Sequence, residues 1–303
     1  MVSSTSALDI SVARRPSLLS TAADFWTLTK PEVNFLILIA TSTGFYLGCS
    51  NNLHPFPLGR LLNTLFGTLL VASGTGTLNQ YLEYRFDARM RRTSRRPVAA
   101  GRLRPATAAW FGVSLSIIGA AYLLVAVNAL ASALAVFTLM SYLFVYTPLK
   151  RRTPLCTLAG AFPGAMPPLI GWAAAAGSIA RSEAWMLYGL LFLWQFPHFM
   201  AIAWMYREDY ARGEYLIFPP YGQEKFLAWQ TAGPALALFL LSLVAVVNSG
   251  SLFQYSATVI LGAGLLYYAF RQIFLRSKLA ARELLKATII YLPLEFLVLV
   301  LRG

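Results

Sequence analysis

Cysteine is close to absent from this 303-residue chain. Cys49 and Cys156 lie far apart and form no CxxC pair, which excludes a disulfide framework and a thiolate zinc site and leaves both as packing residues. Charge is scarce as well: 12% of residues are charged against 57% hydrophobic, with a mean hydropathy of +0.59. No soluble domain of this length sustains that balance. The chain is therefore read as an integral membrane protein. Acids number only 12 against 25 basic residues, for a net charge of +13. In a soluble protein that excess would suggest nucleic acid. In a membrane protein it reports topology and anionic lipid, so the bilayer is the expected partner and nucleic acid is not. Residues 1–24 lack an apolar run and are rich in Ser and Thr with Arg14 and Arg15. They do not read as a secretory signal but as a disordered cytoplasmic tail, ahead of a single transmembrane domain over 25–303.

Nine apolar segments follow, near 33–49, 61–82, 106–126, 128–146, 155–176, 184–206, 229–248, 252–274 and 284–301. Each approaches the roughly 20 residues that cross a bilayer core. They predict an all-α polytopic membrane bundle of about nine helices. Pro163, Pro167, Pro168 and Pro197 fall inside segments five and six, where neighbouring helices or a cavity must satisfy the freed backbone groups. With the N-terminus inside, 22 of the 25 basic residues lie on the inner side, and Arg60, Arg181 and Arg302 alone lie outside. That bias predicts an N-in, C-out topology.

The stretch Asn79–Pro97 holds two acids and six arginines. Asn79, Glu83 and Asp87 recur every four residues, which on a helix places them on one face over about 12 Å. Two carboxylates and an amide oxygen suit Mg²⁺, which takes few protein oxygens and completes its shell with water and phosphate. The arginines behind them suit phosphate oxygens. The same residues also fit a juxtamembrane segment that only sets orientation. A second acidic group, Glu208, Asp209 and Glu214, ends segment six on the same side of the membrane, and Lys150, Arg151 and Arg152 follow Tyr146-Thr147-Pro148 between the two. His198 lies inside segment six, where an ionisable group is costly and points to function. A neutral imidazole there is a candidate ligand for haem iron or a general base, or else a hydrogen-bonded core residue beside Pro197.

These motifs resemble the intramembrane aromatic prenyltransferase superfamily. Asn79-xxx-Glu83-xxx-Asp87, running on to Arg91-Arg92-Thr93 and Arg96-Pro97, is similar to its first aspartate-rich motif. Four further blocks resemble its haem-farnesylating branch: Leu28–Pro31, Tyr146–Lys150, Gly164–Trp172, and Trp194–Phe199 with Arg207–Tyr210. Trp194-Gln-Phe-Pro-His198-Phe is the block specific to that branch. The resemblance implies helices around a central cavity, with Mg²⁺ and diphosphate at the cytoplasmic cap. It implies transfer of a farnesyl group from farnesyl diphosphate to a vinyl group of haem B, with water addition, to give haem O. Asn79, Glu83, Asp87 and Asp209 would then be the catalytic and metal-binding residues. Arg92, Arg96, Lys150 and Arg151 would bind diphosphate, and His198 with Trp194 would bind haem. A downstream haem-modifying enzyme would be a partner, and the bacterial plasma membrane the location ahead of the mitochondrial inner membrane.

Two departures stand out. Glu83 occupies a position where the superfamily has Asp, and Gly213 stands where a second acid is expected four residues after Asp209; Glu208 or Glu214 is left to substitute. Two other readings stay open. A prenyltransferase acting on a quinone or pigment ring would share the acidic motifs, and the Trp194–Phe199 block argues against it. A transporter would share the broken helices, but its charges would lie at the midplane and not in loops.

Overall fold

The computed structural model describes residues 17–49, 55–217, 224–247 and 250–301. Among them every regular element is helical. A short helix α1 (Leu18–Leu28) is capped by the Ser17 side chain, which accepts from the Ser20 N–H. Its far end is buried: Leu28 joins Val98, Leu103 and Ala108, and Phe25 meets Phe111 edge-on. Residues 18–24, expected within a disordered tail, are thus helical, because a capped start and an anchored end hold the turns between them. The tail up to residue 16 lies outside the described residues.

The bundle follows as α2 (Pro31–Gly48), α3 (Leu58–Asp87), α4 (Pro105–Ala126), α5 (Ala129–Ser141), α6 (Thr147–Leu149), α7 (Cys156–Gly164), α8 (Met166–Ala176), α9 (Ser182–Met205), α10 (Arg207–Arg212), α11 (Glu224–Val247), α12 (Leu252–Leu275) and α13 (Lys278–Val300). A π-helical turn at Tyr142–Tyr146 joins α5 to α6. Each of the nine apolar segments falls on helix. Six described spans are long and apolar enough to cross a membrane by themselves: α3, α4, α5 through α6, α9, α11 from Phe226, and α12. That criterion does not establish nine crossings. Pro31, Glu32 and Asn34 lower the hydropathy of α2, Ala165 divides the fifth segment into α7 and α8, and α13 carries Glu283, Lys286 and Glu295. Much of the large apolar surface faces outward, as on Val125 and Ile260, which suits a lipid solvent in which only the backbone must be satisfied internally.

Two features of this packing position the site. At 30 residues, α3 is about 45 Å long, well beyond a hydrocarbon core of about 30 Å, so its last turns carry polar residues past the apolar zone. Against it the α2–α8 pair packs backbone to backbone. A Cβ on Gly171 would lie 1.9 Å from the Thr41 carbonyl oxygen, and one on Gly44 would lie 2.0 Å from that of Pro168. Only glycine permits this approach, as at small-residue interfaces between membrane helices generally.

Candidate active site

Asn79, Glu83 and Asp87 do share one face of α3, and all three are buried. Each is answered by a cation from elsewhere in the chain. Lys30 Nζ donates to Asn79 Oδ1 at 2.9 Å. Lys150 Nζ donates to Glu83 Oε1 and Oε2 at 2.9 and 3.1 Å. Arg96 donates to Asp87 Oδ2 at 2.7 Å. The Asn79 amide bridges its own helix, donating to Glu83 Oε2 at 2.8 Å. Two ion pairs and one lysine–amide bond, supplied by four segments, therefore line one end of the bundle.

The local sequence explains each position. Lys30 precedes Pro31, which disfavours the right-handed helical region for it, and it adopts the left-handed region at φ 53°. For a residue with a side chain that costs roughly 1–2 kcal/mol; such strain collects at functional sites. Asn34 holds the turn by donating to the Thr29 carbonyl and to Ser73 on α3. Burial, together with the neighbouring Arg96 and Lys150, pushes the Lys30 ammonium down to about 7. Lys150 caps the end of α6, four residues after Tyr146 and eight after Tyr142. Its Nζ lies 4.6 and 5.9 Å from those ring centroids, a cation–π cradle. Burial opposes its charge, but the Glu83 carboxylate prevails and raises it well above an ordinary lysine.

The second acidic group takes a different form. Asp209 is buried, and both of its carboxylate oxygens accept backbone N–H bonds: Oδ1 from Arg91 at 3.0 Å and Oδ2 from Arg92 at 3.2 Å. Arg212 also pairs with it. Burial works against the charge, yet these donors hold its carboxyl below the usual carboxylate range. Asp209 clamps the arginine loop after α3. Gly213 lies against that loop, where an added Cβ would stand 2.9 Å from Met90 Sδ, so a side chain at this position requires Met90 to shift. Glu214 pairs with Arg89 and Glu208 with Lys278 on the exposed rim. Neither turns toward Glu83.

The structure brings Arg96 and Lys150 onto the acids. Arg92 lies over Tyr206 at 4.9 Å, and Arg151 over Phe86 at 4.2 Å. A cleft of about 190 Å³ between α3 and the α5–α6 end reaches Glu83 past Leu82, Phe144 and Thr147, with Arg151 at its edge. The Leu216 N–H donates to the Lys150 carbonyl at 2.7 Å, fastening the chain after α10 across this end. Among the described residues no three His, Cys, Asp or Glu side chains form a metal cluster. The donor set nonetheless suits Mg²⁺, which needs one or two carboxylates besides substrate phosphate.

The other site residues lie along α9. Trp194 and His198 stack with centroids 4.4 Å apart, and both reach α13. The Trp194 indole N–H donates to the Thr288 carbonyl at 2.7 Å, and His198 Nδ1 lies 2.9 Å from Thr288 Oγ1. Sequence reasoning assigned no role to Lys30, Tyr142 or Thr288. The Lys30-Pro31 pair at a membrane entry and the 142, 146, 150 spacing were signals for the first two. Thr288 offered none.

A family model described as the UbiA prenyltransferase family matches residues 37–291. A protoheme IX farnesyltransferase of Solibacter usitatus is 45% identical over 282 residues, covering 90% of this chain and 96% of that protein. Among solved structures, a digeranylgeranylglyceryl phosphate synthase superimposes with a TM-score of 0.72 at 17% identity, covering 92% of this chain and 97% of that one. A UbiA homolog from Archaeoglobus fulgidus bound to GPP and Mg²⁺ superimposes with a TM-score of 0.62 at 13% identity, covering 91% and 99%.

Proposed function

The chain belongs to the UbiA prenyltransferase family, and from that premise we propose that the α3 end of the bundle takes farnesyl diphosphate and that the Trp194–His198 stack faces haem B. The protein transfers the farnesyl group to a haem vinyl group with addition of water, giving haem O and diphosphate. The observation that carries this reading is the set of acid–cation pairs, Glu83–Lys150 and Asp87–Arg96, at one end of the bundle; the Trp194–His198 stack on α9 supports the haem acceptor.

The acids and cations divide the work. Asn79, Glu83 and Asp87 would hold Mg²⁺, and the metal when bound supplies Lewis-acid neutralisation of charge on the departing diphosphate. Lys30, Arg96 and Lys150 turn from their carboxylate and amide partners to diphosphate oxygens, with Arg92 and Arg151 reaching in from the rim. These cations add electrostatic stabilisation where negative charge develops. Asp209 was expected among the metal ligands. With backbone amides on both of its oxygens, it serves by holding the loop that carries Arg91 and Arg92. Tyr142, Tyr146 and Phe86 present ring faces to an allylic cation and help to keep water from it. His198 ligates the haem iron of the substrate, with Trp194 stacked behind it.

We place the charged end toward the cytoplasm of a bacterial plasma membrane, on the basic bias of its loops. The product would pass to a downstream haem-modifying enzyme. The test is incubation of the purified protein with haem B, farnesyl diphosphate and Mg²⁺, followed by mass analysis of the extracted haem. Addition of one farnesyl group and one water is expected; unmodified haem across several lipid compositions would overturn the reading.

A further inference from the structure

Thr288 holds both members of the Trp194–His198 pair, through two different atoms. Its carbonyl oxygen accepts the Trp194 indole N–H at 2.7 Å. Its hydroxyl lies 2.9 Å from His198 Nδ1 and also donates to the Leu285 carbonyl one turn earlier, at 2.7 Å. A hydroxyl has a single hydrogen to give. With that hydrogen directed to Leu285, the Thr288 oxygen faces the ring as an acceptor, an arrangement that assigns the proton to Nδ1. The opposite nitrogen, Nε2, is then a bare lone pair. A threonine bonding back to its own helix is ordinary. What is unusual is that the bond orients this hydroxyl as an acceptor toward a histidine on a neighbouring helix, and that Thr288 is fully buried.

We propose that Thr288 is the positioning residue for His198, fixing the Nδ1–H tautomer and leaving Nε2 free for the substrate. The inference rests on the reading that His198 meets haem, and it deepens that reading. Ligation of iron and abstraction of a proton from water both require an unprotonated Nε2. A partner on the far nitrogen is how proteins orient such a ring and raise its basicity.

The test exploits composition. The chain has two histidines, so in a His54→Gln background ¹⁵N-histidine labelling reports on His198 alone. In the full-length protein in detergent micelles near neutral pH, the expected spectrum has a protonated Nδ1 and a bare Nε2. Thr288→Val keeps the side-chain shape and the carbonyl that holds Trp194, removing only the hydroxyl. It is expected to lose the tautomer preference, and Thr288→Ser to retain it. A protonated Nε2 in the parent protein, or a Thr288→Val spectrum identical to it, overturns the proposal. If Thr288→Val does not fold, the parent spectrum and Thr288→Ser still decide. Haem titration supplies a second readout: Thr288→Val should weaken haem B binding about tenfold and shift the iron–histidine stretch, with Thr288→Ser close to the parent. If His198→Ala leaves haem binding and its spectrum unchanged, the haem reading fails while the tautomer assignment is judged separately by NMR.

Discussion

Lys150 and Glu83, 67 residues apart in sequence, meet through both carboxylate oxygens at 2.9 and 3.1 Å, with each side chain less than a tenth exposed. Their encounter ties the end of the continuous α5–α6 span to the end of α3. It also brings a buried positive charge within reach of the place where diphosphate is proposed to bind.

Breaking this pair from one side should cost more than removing it altogether. Lys150→Met leaves a buried carboxylate uncompensated, a loss of roughly 3–5 kcal/mol. The double variant Glu83→Gln with Lys150→Met removes both charges and should recover most of that stability while staying inactive. Unfolding of the three proteins in detergent, set beside product formation, checks both halves. A double variant no more stable than Lys150→Met would contradict the pairing.

Asp87 and Asp209 should respond differently to the same change. Asp87→Asn removes a proposed metal ligand and is expected to lower kcat by at least about 100-fold while the protein still inserts. Asp209→Asn keeps one acceptor for the arginine loop, so KM for farnesyl diphosphate should rise more than kcat falls. Steady-state kinetics separate the outcomes. An Asp209→Asn enzyme with unchanged KM and abolished kcat would restore Asp209 to the metal.

Lys30 makes substrate binding pH-dependent. Burial and neighbouring cations lower the Lys30 ammonium to about 7, so above that pH the free enzyme holds it largely neutral. A bound diphosphate favours the charged form and raises the value again. Binding at pH 8 should therefore take up a proton, and binding at pH 6, where Lys30 is already charged, should not. Calorimetry in buffers of different ionisation enthalpy measures the uptake, and Lys30→Met should abolish it.

Gly171→Ala tests the α2–α8 contact that supports Lys30 from below. The new methyl would meet the Thr41 carbonyl oxygen, forcing the helices apart at a cost of about 1–3 kcal/mol. The melting temperature should fall. Gly177→Ala, where a Cβ meets nothing within 4 Å but φ is +70°, should be strained through its backbone alone and leave the α2–α8 spacing intact.

Much of this was legible in the residues. Asn79, Glu83 and Asp87 follow the helical period, so their shared face is a local property that spacing alone reveals. Lys150 and Arg96 were recognisable as cations near acids, and the Trp194–His198 pair as a costly polar insertion in an apolar span. Asp209 was legible as an important acid, but its hold on the arginine loop was not. Besides nearby Arg212, its partners are the N–H groups of Arg91 and Arg92, over a hundred residues away, and backbone donors leave no mark in a sequence. Gly213 reads in the sequence as a missing acid; the structure shows it packed against the Met90 side chain of the arginine loop.

By itself, the sequence determined the membrane, the helical class and the acidic face of α3, because hydropathy and a 3.6-residue period are properties of neighbours in the chain. Only the tertiary structure decided which cation answers which acid, and that Thr288 orients His198. Those choices depend on which helix ends the fold brings within 3 Å of each other, a distance set by backbone contacts such as Gly171 on Thr41, with no counterpart in local spacing.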